Sequence, residues 1–169
     1  LRLAVGLEPE NGGVLRRAAL IAIEAEDSPD GASFFLDRLE SVDEAQADLL
    51  RLGIDLDAGR SDSSTDWDSL ESRARQVVER LQNAPVAWNL RLDVLSSAAL
   101  AARSVGDPDG LERYNTLLLE AVQDFVNRFP GQPSPLFRQA KILLALGRPD
   151  EAVLVARASL DVNTEAPRI

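Results

Sequence analysis

A short motif recurs along this chain at nearly constant intervals. The segment ALGRPDEAV around Pro149 matches SVGDPDGLE around Pro108 in its glycine, its Pro-Asp pair and the apolar residue that follows. Weaker copies centre on Pro29 and on Trp67, where tryptophan replaces proline. Self-similarity at a nearly fixed step of roughly 40 residues is typical of stacked supersecondary units. The spacing therefore predicts an array of repeats.

The last copy shows what each repeat contains. Apolar residues between 136 and 160 follow the three-and-four spacing of amphipathic helices in two halves. Between the halves, Gly147 can adopt the left-handed conformation that ends a helix, and Pro149 suits the first turn of the next. Asp150 and Glu151 would then face the positive end of the second helix dipole. The pattern predicts a helical hairpin with a very short turn.

The same signals predict further helices upstream, over 11–26, 28–40, 41 to about 56, 66–81, 86–105 and 108 to about 129. Ser41 and Glu44 fit a capping box at one helix start, Gly106 ends a helix, and Asp107 caps the next. We expect a single all-α domain over 1–169, made of a half repeat and four hairpins: 1–11, then about 12–41, 42–83, 85–131 and 133–164.

Composition supports helices and disfavours several functions. Aromatic residues are only 5% of the chain, so the core must be built from small and aliphatic side chains, which suit closely packed helices better than a β-sandwich. The formal net charge is −10, and no concentrated basic face is visible. Nucleic acid is therefore not expected as a partner.

The chain contains no cysteine and no histidine. These absences exclude Cys-His nucleophiles, the Ser-His-Asp triad and the usual zinc ligands. The aspartates of the segment 57–68 lack the register of a calcium loop, and neighbouring carboxylates at helix ends are normally caps. We expect no enzyme activity, no cofactor, no metal and no catalytic residues.

The sequence does not identify a compartment. A cysteine-free protein is compatible with cytoplasm or periplasm, and no apolar run approaches the roughly 20 residues of a membrane helix, so membrane insertion is not expected. The chain begins with Leu1-Arg2-Leu3 and lacks an initiator methionine and a signal peptide. We interpret it as a fragment or processed product, whose exposed amino-terminal half repeat is a candidate for self-association.

Several of these segments resemble the tetratricopeptide repeat (TPR) superfamily. The start, Ala4-Val5-Gly6-Leu7-Glu8-Pro9, resembles the tail of such a repeat, and Ala87-Trp88-Asn89-Leu90 resembles the start of a first helix. In the last unit, small and aliphatic residues match the interhelix positions of the family: Ala140, Leu143, Gly147, Ala152, Ala156, Ser159 and Leu160. The steps from Trp67 to Pro108 and from Pro108 to Pro149 are longer than the family period. The resemblance implies a right-handed α-α superhelix.

The resemblance also implies a function, namely a noncatalytic interaction or scaffold module that binds a peptide or partner helix in a concave groove with an acidic rim. In the family, first helices line that groove, which here implies Leu15, Ala19, Ile23, Ser96, Leu100, Arg103, Phe137, Lys141 and Leu144. The lysine-asparagine clamp that grips a terminal carboxylate in some members is not present. An alternative is a helical repeat arm of a larger bacterial enzyme or envelope-assembly protein whose catalytic part lies outside this chain.

Overall fold

The computed structural model describes residue 8 and residues 10–26, 29–130 and 133–165. Within these ranges the chain forms eight α-helices and no strand, which confirms the predicted all-α class. The predicted half-repeat tail lies largely outside the described residues. The helices are α1 (Gly12–Glu26), α2 (Pro29–Glu40), α3 (Glu44–Gly59), α4 (Trp67–Arg80), α5 (Pro85–Val105), α6 (Pro108–Arg128), α7 (Pro133–Ala145) and α8 (Pro149–Glu165).

The recurrent motif marks the same structural position each time. Pro29, Trp67, Pro108 and Pro149 are the first residues of α2, α4, α6 and α8. Proline suits this position because its fixed φ is already helical and its missing N–H would have no partner there. At Trp67 the carboxylate of Asp66 supplies the start signal, since it accepts a hydrogen bond from the Ser69 amide at 3.0 Å.

Helices consecutive in sequence pack against each other: α1 with α2, α3 with α4, α5 with α6, and α7 with α8. The second helix of one pair also contacts the first helix of the next, as α2 does with α3 and α6 with α7. The chain divides into two compact units, Leu1–Leu81 and Gln82–Ile169. We call them unit 1 and unit 2 and describe each by itself.

One core cluster of unit 1 is built from alanine, leucine and one phenylalanine of α1, α2 and α3, including Leu15, Ala19 and Leu39, which are fully buried. Ion pairs bridge its helices on the outside. Arg51 of α3 contacts Asp37 at 2.8 Å and Glu40 at 2.9 Å, both on α2. The hydrogen bond and charge of this guanidinium hold the pKa of Glu40 below its ordinary value.

Two glycines end the first helices of the unit 2 hairpins. Gly106 and Gly147 have φ of 71° and 70°, in the left-handed region that side chains with a Cβ disfavour. After α5, the Gly106 amide donates to the Arg103 carbonyl and the Asp107 amide donates to the Ala102 carbonyl. This is the Schellman arrangement, which satisfies the last carbonyls of a helix.

Gly106→Ala should therefore lower the free energy of unfolding by about 1 kcal/mol, because alanine must adopt the left-handed conformation. Gly53→Ala is the matched control. Gly53 lies inside α3 with no atom within 4 Å of an added Cβ, so alanine should stabilise by roughly 0.5–1 kcal/mol. Urea denaturation of both variants checks this prediction. A loss of stability for both, or for neither, would contradict the assigned helix end.

The predicted capping box at Ser41 is wrong. Asp43 is the N-cap of α3, and its carboxylate accepts a hydrogen bond from the Gln46 amide at 3.1 Å. Ser41 instead donates to the Arg38 carbonyl at 2.7 Å, at the end of α2. The helix begins at Glu44 and continues to Gly59, somewhat beyond the predicted end near Leu56. Ser41 lies two positions too early, so it cannot reach the free amides of the first turn.

Candidate interaction surface

The middle part of helix α5, between residues 91 and 103, is covered except along one line. Between residues 91 and 103, only Ser96, Leu100 and Arg103 are exposed. These positions are four and three residues apart, so they follow one side of the helix. The other sides carry buried residues such as Leu92, Leu95, Ala98 and Ala102. Between residues 91 and 103, the accessible part of α5 is therefore a single narrow stripe.

Helix α7 has the same pattern. Between residues 135 and 144, only Phe137, Lys141 and Leu144 are exposed, again at steps of four and three. The exposed fractions of Phe137 and Leu144 are 55% and 58%. The Lys141 ammonium lies 5.0 Å from the centre of the Phe137 ring, a cation–π contact that places the charge directly beside the aromatic face.

An ion pair joins the two helices. The Arg138 guanidinium donates to the Asp93 carboxylate at 2.7 Å, and both side chains are about one-third exposed. Asp93 lies one turn before Ser96, and Arg138 directly follows Phe137, so the bond links the helices next to both stripes. We call the two stripes together the α5/α7 surface; its members are Ser96, Leu100, Arg103, Phe137, Lys141 and Leu144.

All six of these residues belong to the set implied by the family resemblance. Each exposed residue of the α7 stripe lies as many residues after its counterpart in the α5 stripe as Pro149 lies after Pro108. Both helices also end at a left-handed glycine of the same repeat position. The repeat register therefore places equivalent side chains on equivalent faces of α5 and α7.

The three residues implied for unit 1 require a correction. The side chains of Leu15 and Ala19 are fully buried, and Ile23 is partly buried against the same core cluster. Leu15 and Ala19 therefore pack in the interior and do not line an accessible surface. In unit 2, the three exposed residues of α5 lie at fixed distances in sequence before Pro108, the first residue of the next helix. The residues at the same distances before Pro29 are Arg17, Ile21 and Glu24, which are all exposed.

The correction has a simple geometric cause. An α-helix turns about 100° per residue, so the error of two positions at Leu15 and Ala19 rotates the side chain by about 200°, to the opposite face. The interval from Pro29 to Pro108 is the same as that from Arg17 to Ser96. The repeat spacing therefore contains the signal for the exposed face of α1, whereas the positions implied by the family resemblance fall on its buried face.

Most aromatic residues of unit 2 are buried or half-buried. Phe125 is 1% exposed; its ring stacks on Trp88 with centroids 6.1 Å apart and meets Phe129 edge-on at 5.1 Å. The Trp88 indole donates to the Gln82 carbonyl at 3.0 Å. This cluster attaches the start of α5 to the end of α6. Phe137 differs from these residues because it is exposed.

A cavity of about 410 Å³ lies on another face of α7. Leu143, Arg148 and Glu151 line it, and the Arg148 guanidinium makes two hydrogen bonds to the Glu151 carboxylate, at 2.6 and 2.7 Å. The pair lowers the pKa of Glu151 and raises that of Arg148. The lining residues are Leu119, Glu120, Gln123, Gln139, Leu143, Arg148, Glu151, Leu154 and Val155.

The described part of the chain offers neither a metal-binding cluster nor a membrane-spanning helix. No group of three or more histidine, cysteine, aspartate or glutamate side chains there is arranged to hold a metal ion. Within the same ranges, none of the helices combines the length and the apolar character needed to cross a bilayer.

Comparison with known proteins gives a structural match. No family model matches the sequence, and no curated protein matches it significantly. Among solved structures, the crystal structure of MamA, a TPR-like protein, superposes with a TM-score of 0.59 over 97% of this chain and 85% of that one, at 14% sequence identity. At this identity the match concerns the fold. Together with the eight helices and their repeated pairing, it shows that this chain has a TPR-like helical repeat fold.

Proposed function

We propose that this chain is a noncatalytic protein-binding repeat module, and that its partner docks on the α5/α7 surface as an extended peptide or a helix. One observation carries the proposal. Leu100, Phe137 and Leu144 are 67%, 55% and 58% exposed, although the residues on both sides of Leu100 and Phe137, and Leu143 before Leu144, are buried or half-buried. Clustered exposed apolar side chains commonly mark interaction sites.

The surface is also suited to binding in energetic terms. Fully burying a leucine or phenylalanine contributes about 1.5–3 kcal/mol, and these three side chains still have more than half of their area to bury. They project from helices that already pack against α6 and α8, so little backbone order must be acquired on binding. A preorganised surface keeps more of the gross contact energy as affinity.

The combined substitution Phe137→Ala and Lys141→Glu should weaken partner binding at least about tenfold, because it removes the aromatic anchor and reverses the charge beside it. Peptides selected from a random display library against the native chain provide the ligands. Fluorescence anisotropy then gives Kd for the native and substituted proteins. Circular dichroism should show that the fold of the double variant is retained, since both positions are exposed.

The matched control is Val153→Ala with Arg157→Glu. These residues lie on α8 at the same spacing of four, and both are exposed, so the control shortens an exposed apolar side chain and reverses an exposed positive charge elsewhere in unit 2. We expect its Kd to match that of the native chain. If the selected peptides bound the Phe137/Lys141 variant as tightly as the native protein, the α5/α7 surface would not be the site.

A further inference from the structure

Charge is distributed unevenly among the helices of unit 2. The whole chain has a net charge of −10, but α5 and α7 together carry four basic residues and a single carboxylate, Asp93. Helices α6 and α8 have the opposite balance, with eight carboxylates and three arginines. The first helices of unit 2 therefore carry an excess of basic residues, which differs from the acidic rim expected for the groove.

The one carboxylate on α5 and α7 is already paired with an arginine. Asp93 accepts the hydrogen bond from Arg138 at 2.7 Å, which neutralises both groups. Arg103 and Lys141 lie at exposed positions of the α5/α7 surface, and neither has a carboxylate partner among the described residues. Each is beside an exposed apolar side chain, Leu100 for Arg103 and Phe137 for Lys141. The surface thus combines two unneutralised cations with three apolar anchors.

We propose that the segment bound by the α5/α7 surface is a short acidic peptide whose side-chain carboxylates flank apolar anchors. This inference rests on the proposed function. Complementary charges at an interface chiefly select the partner and speed its encounter. A basic segment would meet Arg103 and Lys141 with like charge, whereas an acidic one would pair with them while its apolar residues cover Leu100, Phe137 and Leu144.

A longer polyanion fits this surface less well. Nucleic acid binding depends on neutralising many phosphates, whereas the α5/α7 surface offers only Arg103 and Lys141 as exposed cations without a carboxylate partner among the described residues. The carboxylates of α6 and α8 would also repel a polyanion that extended beyond the surface. A short peptide can place a few carboxylates near the two cations and remain within it.

Peptide selection with amidated carboxyl termini tests the inference, because only side-chain carboxylates can then contribute. Sequences selected by the native chain should be enriched in aspartate and glutamate next to leucine or aromatic residues. Binding should weaken about tenfold for Arg103→Glu with Lys141→Glu, and raised salt should weaken native binding, since exposed charges are screened. Peptides with their carboxylates changed to lysine should instead prefer this variant.

The control Arg16→Glu with Arg157→Glu changes the net charge equally at exposed positions elsewhere and should leave Kd unchanged. Lys141 adds a direct readout because it is the only lysine in the chain. A carbodiimide, which condenses a carboxylate with an amine to an amide, should join a bound acidic peptide to Lys141. Lys141→Arg should keep the affinity and lose this cross-link.

The outcomes separate the two proposals. If selected peptides lost affinity for Leu100→Ala with Leu144→Ala but were neutral or basic, the docking surface would stand and its acidic specificity would be overturned. If a single-stranded oligonucleotide displaced them at lower concentration than an acidic peptide, the partner class would be wrong. If neither the apolar nor the charge variant altered Kd, the proposed function would fail as well.

Discussion

Leu143→Asp should unfold the last hairpin, α7–α8. Leu143 is 3% exposed, so the substitution removes a buried apolar side chain and places a carboxylate in the interior. The nearby Arg148 is already held by two hydrogen bonds to Glu151. A buried charge without a partner costs several kcal/mol, a large fraction of the roughly 5–15 kcal/mol that stabilises a typical domain. Thermal denaturation followed by circular dichroism should show a lower Tm and reduced helicity.

The adjacent residue provides the control for this prediction. Leu144 is 58% exposed, so Leu144→Asp makes the same chemical change one position along but leaves the carboxylate in water. Its melting curve should stay close to that of the native chain, within about 0.5 kcal/mol. Equal destabilisation by the two substitutions would mean that the assigned faces of α7 are incorrect.

Phe125→Ala should destabilise unit 2 by about 3–5 kcal/mol, the usual cost of removing a buried phenyl ring. Phe125 is 1% exposed and contacts the rings of both Trp88 and Phe129. Its loss would leave a cavity where the start of α5 meets the end of α6. Urea denaturation monitored by tryptophan fluorescence measures the effect, because Trp88 reports directly on this contact.

Phe137→Ala is the matched control, since Phe137 lies in the same unit but is 55% exposed. Its free energy of unfolding should change by less than about 1 kcal/mol, because much of the ring is already in water. The two phenylalanines therefore have opposite expected phenotypes: Phe125 affects stability, and Phe137 affects binding. A stability loss at Phe137 as large as that at Phe125 would contradict its place on the α5/α7 surface.

Much of the helix layout was predictable because its signals are local. The left-handed Gly106 and Gly147, the cap at Asp107 and the first-turn prolines act within a few residues of their own positions. The repeat interval then relates one hairpin to the next, which is why the stripe on α5 could be assigned from that on α7. The sequence pattern did not identify Asp43 as the N-cap of α3. Several side chains near the start of α3 are capable of capping it, and small differences in reach decide among them.

The choice of exposed side chains required the packed structure. Helix α5 is apolar on nearly every side, so its periodicity cannot reveal whether Leu100 is buried; that depends on which sides other helices cover. In α1, the apolar face was mistaken for the accessible one at Leu15 and Ala19. The pairing of Asp93 with Arg138, far apart in sequence, also follows from packing. Helix ends depend on neighbouring residues in sequence, whereas exposure and long-range ion pairs depend on neighbouring residues in space, which the chain order does not specify.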